Sequence, residues 1–142
     1  MSERMKERKS GSHIIKEVVV FGAAMLVCMA SCGPAPDTFG KLDLKKWRDD
    51  RGGCMGVRST LVPAFRAEIQ NLKGNSANTI GELLGRPDIN QIADRNQKFY
   101  IYFLEKGTHC DRRNEKSDSP SVAIRMSAIG LATEITFQNG LP

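Results

Sequence analysis

The residues whose chemistry could define a site are the cysteines and histidines of this 142-residue chain. Cysteines occupy positions 28, 32, 54 and 110, and His109 directly precedes the last of them. A histidine beside a cysteine could activate the thiol as a thiolate, but such a nucleophile also needs a third group that orients the base. Serine-hydrolase, zinc-protease and phosphate-loop motifs do not occur in the sequence. We therefore expect a protein that is not an enzyme and that takes no cofactor and no small-molecule substrate.

Three acidic residues, Asp111, Glu115 and Asp118, could bind calcium weakly. They do not have the oxygen-ligand spacing of a calcium loop, and cations alternate with them. The sequence therefore predicts no metal site.

The N-terminal segment has the pattern of an export signal. Its first 17 residues carry five cations and three anions, and a run of 13 apolar residues follows from Val18 to Ala30. A membrane span needs about 20 apolar residues, whereas a signal peptide has a basic region followed by an apolar region of about 7–15 residues. The start codon is Met1 or Met5.

The end of this run, Met29-Ala30-Ser31-Cys32, resembles the lipobox of bacterial lipoproteins. The resemblance implies a diacylglycerol on the sulfur of Cys32, cleavage after Ser31, and an acylated N-terminus bearing a chain such as palmitate. Two or more acyl chains anchor a protein stably to a membrane. The alternatives are an uncleaved signal anchor and a secretory cleavage that leaves Cys32 free. We expect a signal peptide over 1–31, a tether over 32–40 and a single domain over 41–142.

Two cysteines remain for the domain if Cys28 leaves with the signal peptide and Cys32 carries the lipid. An even pair in an exported domain indicates a disulfide, here between Cys54 and Cys110. The mature chain would have 111 residues, with 16 cations and 13 anions. The cations are scattered rather than clustered, so we expect no nucleic-acid partner.

Helical periodicity occupies the first half of the domain. The pattern predicts a helix over 41–50 with Trp47 as a core anchor and Asp37 or Thr38 as its cap. A second helix should run from about Thr60 to Leu72, because Pro63 is tolerated only in a first turn. A third, short helix should begin at Asn75 or Ser76 and end at Gly85.

Strand patterns occupy the second half. The segment 99–104 is apolar on both faces of the pleat and predicts a central strand. A polar loop over 105–120 follows, and then a hairpin with Gly130 in its turn. Helices followed by strands indicate an α+β fold in which N-terminal helices pack on a three-stranded antiparallel sheet, an ααβββ order.

The segment from Gly74 to Asp88 resembles the core motif of the SmpA/OmlA domain, the domain of the outer-membrane assembly lipoprotein BamE. The matching residues are Gly74, Ser76, Ile80, Leu83, Leu84, Gly85 and Pro87. The resemblance covers about 58–137, and the cysteine pair with the Trp47 helix is more similar to small lipoproteins of Bacteroidetes that share the domain. It implies a fold like that of β-lactamase-inhibitor protein and a non-catalytic scaffold at the inner leaflet of the outer membrane that binds proteins or lipid headgroups.

Two functions fit these patterns. The first is a lipid-anchored interaction module of the cell envelope, expected on the outer membrane facing the periplasm, with envelope proteins as partners. Tyr100 and Tyr102 are its predicted contact residues, because tyrosine is enriched at interfaces, and the alternative role for both is sheet core. The second function is binding or inhibition of an exported hydrolase through the loop over 105–120.

Overall fold

The computed structural model describes residues 33–112 and 115–142, and the compact unit considered below is Ala35–Pro142. This unit has the predicted α+β character, with helices, a two-stranded antiparallel sheet and a four-stranded antiparallel sheet. The predicted signal peptide and the predicted lipidation site at Cys32 lie outside the described residues. None of the helices in the described ranges is long and apolar enough to cross a membrane.

The unit begins with a small hairpin rather than with the predicted helix. Strands β1 (Thr38–Phe39) and β2 (Leu42–Asp43) pair antiparallel, and helix α1 (Leu44–Asp49) follows. The Asp43 carboxylate accepts a hydrogen bond of 2.9 Å from the Lys46 amide and caps α1. The predicted start at residue 41 and the predicted caps at Asp37 and Thr38 were therefore wrong. Trp47 is fully buried, as predicted.

Helix α2 (Val57–Leu72) is longer than its sequence signals indicated. Its start follows Gly56, whose φ of 74° lies in the left-handed region that glycine tolerates. Pro63 lies inside the helix rather than in its first turn, which corrects the predicted start near Thr60. Helix α3 (Ala77–Leu84) agrees with the prediction: the Ser76 hydroxyl accepts a bond from the Thr79 amide, and Gly85 ends the helix at a φ of 78°.

The main sheet has four strands where the sequence predicted three. They are β3 (Ile89–Ala93), β4 (Gln97–Phe103), β5 (Pro120–Met126) and β6 (Ala132–Asn139), in the spatial order β3-β4-β5-β6. Strand β4 is central, as predicted, and β5 and β6 form the predicted hairpin. Strand β3 was missed because its sequence has no clean alternation, whereas its pairing with β4 is a tertiary contact. A short helix α4 (Thr108–Asp111) also lies within the predicted loop.

The core lies between the helices and one face of this sheet. Trp47 stacks on Phe65 at 4.8 Å between ring centroids, and Tyr102 of β4 lies 6.1 Å from Trp47. Because strand residues alternate between faces, Ile101 and Phe103 point away from this core. They are nevertheless buried, and the His109 ring of α4 stacks on Phe103 at 3.9 Å. The segment after β4 therefore covers part of the second face.

Candidate functional site

Asp88 organises the junction between the helices and β3. It follows the turn at Gly85 and Pro87 that ends α3, so its backbone enters the sheet at once. One of its carboxylate oxygens accepts the Gly52 amide at 3.0 Å, and the other accepts the Phe103 amide at 2.8 Å. A single side chain thus joins the turn after α1 to the end of β4.

Arg58 is fully buried at the start of α2 and pairs with this carboxylate. Its guanidinium lies 2.5 Å from Asp88 and donates to the carbonyl oxygens of Trp47 at 3.0 Å and Phe103 at 3.1 Å. The rings of Trp47 and Tyr102 lie 5.0 and 5.6 Å from its central carbon. A buried charge is costly unless it is paired and hydrogen-bonded. Asp88 pairs with this charge and Nε and Nη1 are hydrogen-bonded, whereas Nη2 has no partner among the described residues.

Asp50 is also fully buried, and it caps the start of α2. The residue next to the helix, Gly56, has no side chain that could do so. Its two oxygens accept the amides of Met55 and Arg58, each at 2.8 Å. The first amides of a helix have no intrahelical acceptor, so this carboxylate stabilises the beginning of α2 from a distance in sequence. The Arg58–Asp88–Asp50 network therefore holds the ends of α1, α2 and β4 together.

The predicted disulfide is present: Cys54 and Cys110 are bonded, with their Cα atoms 5.8 Å apart. His109 lies against this bond, with Nε2 3.5 Å from the Cys110 sulfur and 2.7 Å from the Gly52 carbonyl oxygen. The short distance to a carbonyl oxygen indicates that Nε2 carries the proton and donates it there. A thiolate nucleophile at Cys110 does not exist while the disulfide is formed.

The same three side chains form the one cluster with metal-ligand chemistry in the described part of the chain. Their ligand atoms lie within 4.8 Å of one another. The two sulfurs are bonded to each other and are therefore not thiolates, and Nε2 is hydrogen-bonded to Gly52, so the cluster lacks the thiolate ligands that a cysteine metal site uses. Asp111 and Glu115, two of the three acidic residues considered above for calcium, form ion pairs with Lys106 at 3.8 Å and Arg112 at 2.6 Å.

Two adjacent cavities border the network on its solvent side. One, of about 380 Å³, is lined by the disulfide, His109, Gly52, Arg51 and Asp88. The other, of about 470 Å³, is lined by Arg51, Arg86, Pro87, Asp88, Asn90 and Tyr100, and it is called the Tyr100 cleft below. Arg51 and Asp88 line both cavities, so the disulfide lies beside the cleft.

Hydrogen-bond donors dominate the Tyr100 cleft. Among the described residues that line it, Asp88 supplies the one carboxylate, and this group is already bonded to Arg58 and two backbone amides. Four arginines elsewhere in the described ranges lie within 4 Å of a carboxylate: Arg48, Arg58, Arg112 and Arg125. Arg51 and Arg86 are exposed and have no such contact within those ranges. The cleft is therefore lined by two arginines without an ion-pair partner in the described ranges, together with Asn90 and Tyr100.

The structure separates the two tyrosines that the sequence grouped together. Tyr100 is half-buried and lines the cleft, with the Lys98 ammonium 5.0 Å from its ring. Tyr102 is fully buried, and its hydroxyl donates to the Gly85 carbonyl oxygen at 2.9 Å. Burial raises the pKa of Tyr102, so it stays protonated as a donor. Its predicted role as a contact residue is corrected to a core role.

Sequence reasoning missed Arg58, Asp50 and Asp88, which build this region. One signal was available for Arg58: it lies one turn before Leu61 and two turns before Phe65, on the apolar stripe of α2. Glu68 lies on the same stripe and is also buried. A charge on an apolar helix face predicts a buried, paired group.

Comparison of the chain with protein-family models, with curated proteins and with solved structures gives no match, so the site is interpreted from its own geometry.

Proposed function

We propose that this protein is a non-catalytic interaction module, lipid-anchored through Cys32 to the cell envelope, and that the Tyr100 cleft is its contact site for a partner protein. The observation that carries the proposal is the arrangement of Tyr100 beside two arginines, neither paired with a carboxylate of the described residues, in a cavity of about 470 Å³. Tyrosine and arginine are, with tryptophan, the residues enriched at interface hot spots. The expected location is the outer membrane, facing the periplasm.

Rigidity supports this choice of surface. The cleft floor is Asp88, which the buried Arg58 and the amides of Gly52 and Phe103 hold in place. The Cys54–Cys110 disulfide fixes the neighbouring turn that carries Arg51. A surface whose side chains are held in place loses less conformational entropy on binding.

The resemblance to the SmpA/OmlA domain supports the envelope setting. Ser76 and Gly85 begin and end α3 at the motif positions where a cap and a stop are needed. We place the domain in the ααβββ arrangement of that family, with β3 as an additional edge strand. Assembly or maintenance of the outer membrane is the corresponding role.

The contact site is tested by in-cell crosslinking of the full-length chain with the substitution Tyr100→Ala. Ile129→Ala is the matched control, because Ile129 is 81% exposed and does not line the cleft. We expect Tyr100→Ala to lose a defined crosslinked species that Ile129→Ala retains, while circular dichroism shows that both variants are folded at the temperature of the crosslinking. Retention of every crosslinked species by a folded Tyr100→Ala would refute the site.

The anchor is tested separately by intact mass spectrometry of protein purified from membranes. We expect loss of residues 1–31, added acyl mass, and no acylation of a Cys32→Ser variant. An unprocessed chain in the membrane fraction would contradict the lipoprotein assignment.

A further inference from the structure

We infer that the partner's binding segment is an extended acidic peptide, which adds to the free edge of β3 and places a carboxylate in the Tyr100 cleft. The inference rests on the proposed function and specifies the chemistry of its partner. Three features of the structure carry it: the donors of the cleft, the open edge of β3, and an exposed apolar residue on that strand.

The cleft has the chemistry of a carboxylate receptor. Arg51 and Arg86 supply two permanent positive charges, and the amide of Asn90 and the hydroxyl of Tyr100 supply neutral donors. Guanidinium groups bind carboxylates through paired, charge-assisted hydrogen bonds. The Asp88 carboxylate does not compete for these donors, since it is bonded to Arg58, Gly52 and Phe103.

The cleft continues into a strand edge. Strand β3 is the first strand in the order β3-β4-β5-β6, and within the described residues its only sheet partner is β4. Asn90, its second residue, lines the cleft, so the edge of β3 leads directly out of the cavity. An exposed edge strand offers backbone donors and acceptors to an added strand.

An exposed apolar side chain on β3 would contact an added peptide strand. Ile92 is 71% exposed, and it lies two residues after Asn90, on the same face of β3. A peptide strand paired with β3 would place an apolar side chain against Ile92, about 7 Å from the residue opposite Asn90. The predicted ligand therefore has an acidic residue and an apolar residue two positions apart.

This pattern favours a peptide over a phosphate. A phosphate group, whether free or on a lipid headgroup, would use the arginines but would leave the edge of β3 and Ile92 without a role. A peptide uses all three features, since its backbone pairs with β3 while its two side chains meet the cleft and Ile92.

Binding is measured by fluorescence polarisation with the full-length chain in detergent micelles. The probes are labelled acetyl-Thr-Glu-Thr-Val-Thr-amide and its reversed sequence, which cover both strand directions. We expect one of them to bind, and its Glu→Gln counterpart to bind about tenfold more weakly because a charge-assisted contact is lost. Methylation of its alternate backbone nitrogens should abolish binding if the peptide joins the sheet.

The protein variants locate the site. Arg51→Gln with Arg86→Gln should remove binding, whereas Arg95→Gln, an exposed cation in the turn after β3, should leave it unchanged. Amide resonances of Ile89–Ala93 should shift in NMR spectra when the peptide is added. Equal binding by the double arginine variant, or shifts confined to another part of the sheet, would overturn the inference.

Two further outcomes separate the alternatives. If phosphatidylglycerol vesicles or inorganic phosphate bind in an Arg51- and Arg86-dependent manner while the peptides do not, the cleft binds phosphate and the peptide inference fails. If Tyr100→Ala loses its crosslinked partner while the double arginine variant keeps it, the proposed function stands and the acidic ligand is refuted.

Discussion

Arg58 lies on the buried side of Asp88, and Arg51 and Arg86 lie on its solvent side. The two sides differ in burial and in ion pairing. Arg58 is fully buried, ion-paired, hydrogen-bonded to two carbonyl oxygens and placed near two aromatic rings. Arg51 and Arg86 are exposed and line a cavity, and neither forms an ion pair with a carboxylate in the described ranges. The first arrangement stabilises the fold, and the second leaves charge available for a ligand.

The hydrogen bonds of Asp88 explain how a small domain can keep a positively charged cleft. Both oxygens of Asp88 accept hydrogen bonds from within the fold, where Arg58 balances the carboxylate charge and the Gly52 and Phe103 amides supply further donors. The Asp88 charge is therefore paired with Arg58 rather than with Arg51 or Arg86. The positive charges of these two exposed arginines can act on a ligand in solvent. Substitutions on the buried side should change stability, and substitutions on the solvent side should change binding.

The largest effect should come from Arg58→Met, which keeps an unbranched apolar side chain but removes the guanidinium group and its charge. It leaves Asp88 without its ion pair and the carbonyl groups of Trp47 and Phe103 without this donor, so we expect a loss of about 3–5 kcal/mol in the free energy of unfolding. Urea denaturation measures this loss. Arg86→Met is the matched control and should stay within about 0.5 kcal/mol of the parent. Equal effects of the two substitutions would remove the distinction between the groups.

The disulfide should come next. Cys54→Ser with Cys110→Ser opens a link between residues 56 positions apart, and we expect a loss of about 2–4 kcal/mol. The same loss should follow when the parent is treated with a dithiol reductant, and the reductant should not change the double variant. A variant as stable as the parent would show that His109 and its bond to Gly52 are sufficient to hold this segment.

The two tyrosines offer a smaller and sharper test. Tyr102→Phe removes the donor to the Gly85 carbonyl oxygen and should lower the free energy of unfolding by about 1 kcal/mol. Tyr100→Phe should leave stability unchanged and weaken partner binding, since it removes a hydrogen-bonding group from a residue that lines the cleft. A loss of stability in Tyr100→Phe together with a loss of binding in Tyr102→Phe would contradict the core role of Tyr102 and the contact role of Tyr100.

The smallest effect concerns acid stability. The hydrogen bond from Asn71, together with the one from the Lys41 amide, holds the pKa of Glu68 below its usual value. Since the folded pKa is the lower one, this stabilisation is complete above the unfolded pKa of about 4.3 and is lost as pH falls through the folded value. Glu68→Gln should therefore flatten the decrease in stability below about pH 4. Thermal unfolding at pH 7 and pH 3 tests this, with Glu82→Gln as an exposed control on α3.

Local patterns predicted the elements whose signals are local. The stripe of α2, the cap and stop of α3, the apolar strand β4 and the turn at Gly130 all depend on residues close in sequence. The hairpin before α1 and the early start of α2 were missed for the opposite reason. Asp50 caps α2 from outside the helix, and the Glu68 carboxylate accepts the Lys41 amide from 27 positions away.

The candidate site was predicted only in part. The sequence identified Cys54, Cys110 and Tyr100, because cysteine pairing and aromatic strand residues are visible in composition and order. It could not show that Arg51, Arg86 and Asn90, which come from three separate segments, line one cavity. Nor could it tell Tyr100 from Tyr102, because the two differ only in their depth along β4.

The sequence by itself determined the α+β class, the central strand and the cysteine pair, since hydrophobic periodicity, glycine and proline stops, and cysteine number act locally or by counting. Only the tertiary structure decided that β3 joins the sheet, that Arg58 is buried, and that Arg51 and Arg86 remain unpaired among the described residues. Those outcomes depend on which donors and acceptors meet across distant segments. Arg58 must be paired because an unpaired charge is costly when it is buried. Arg51 and Arg86 need no partner because water solvates their charges.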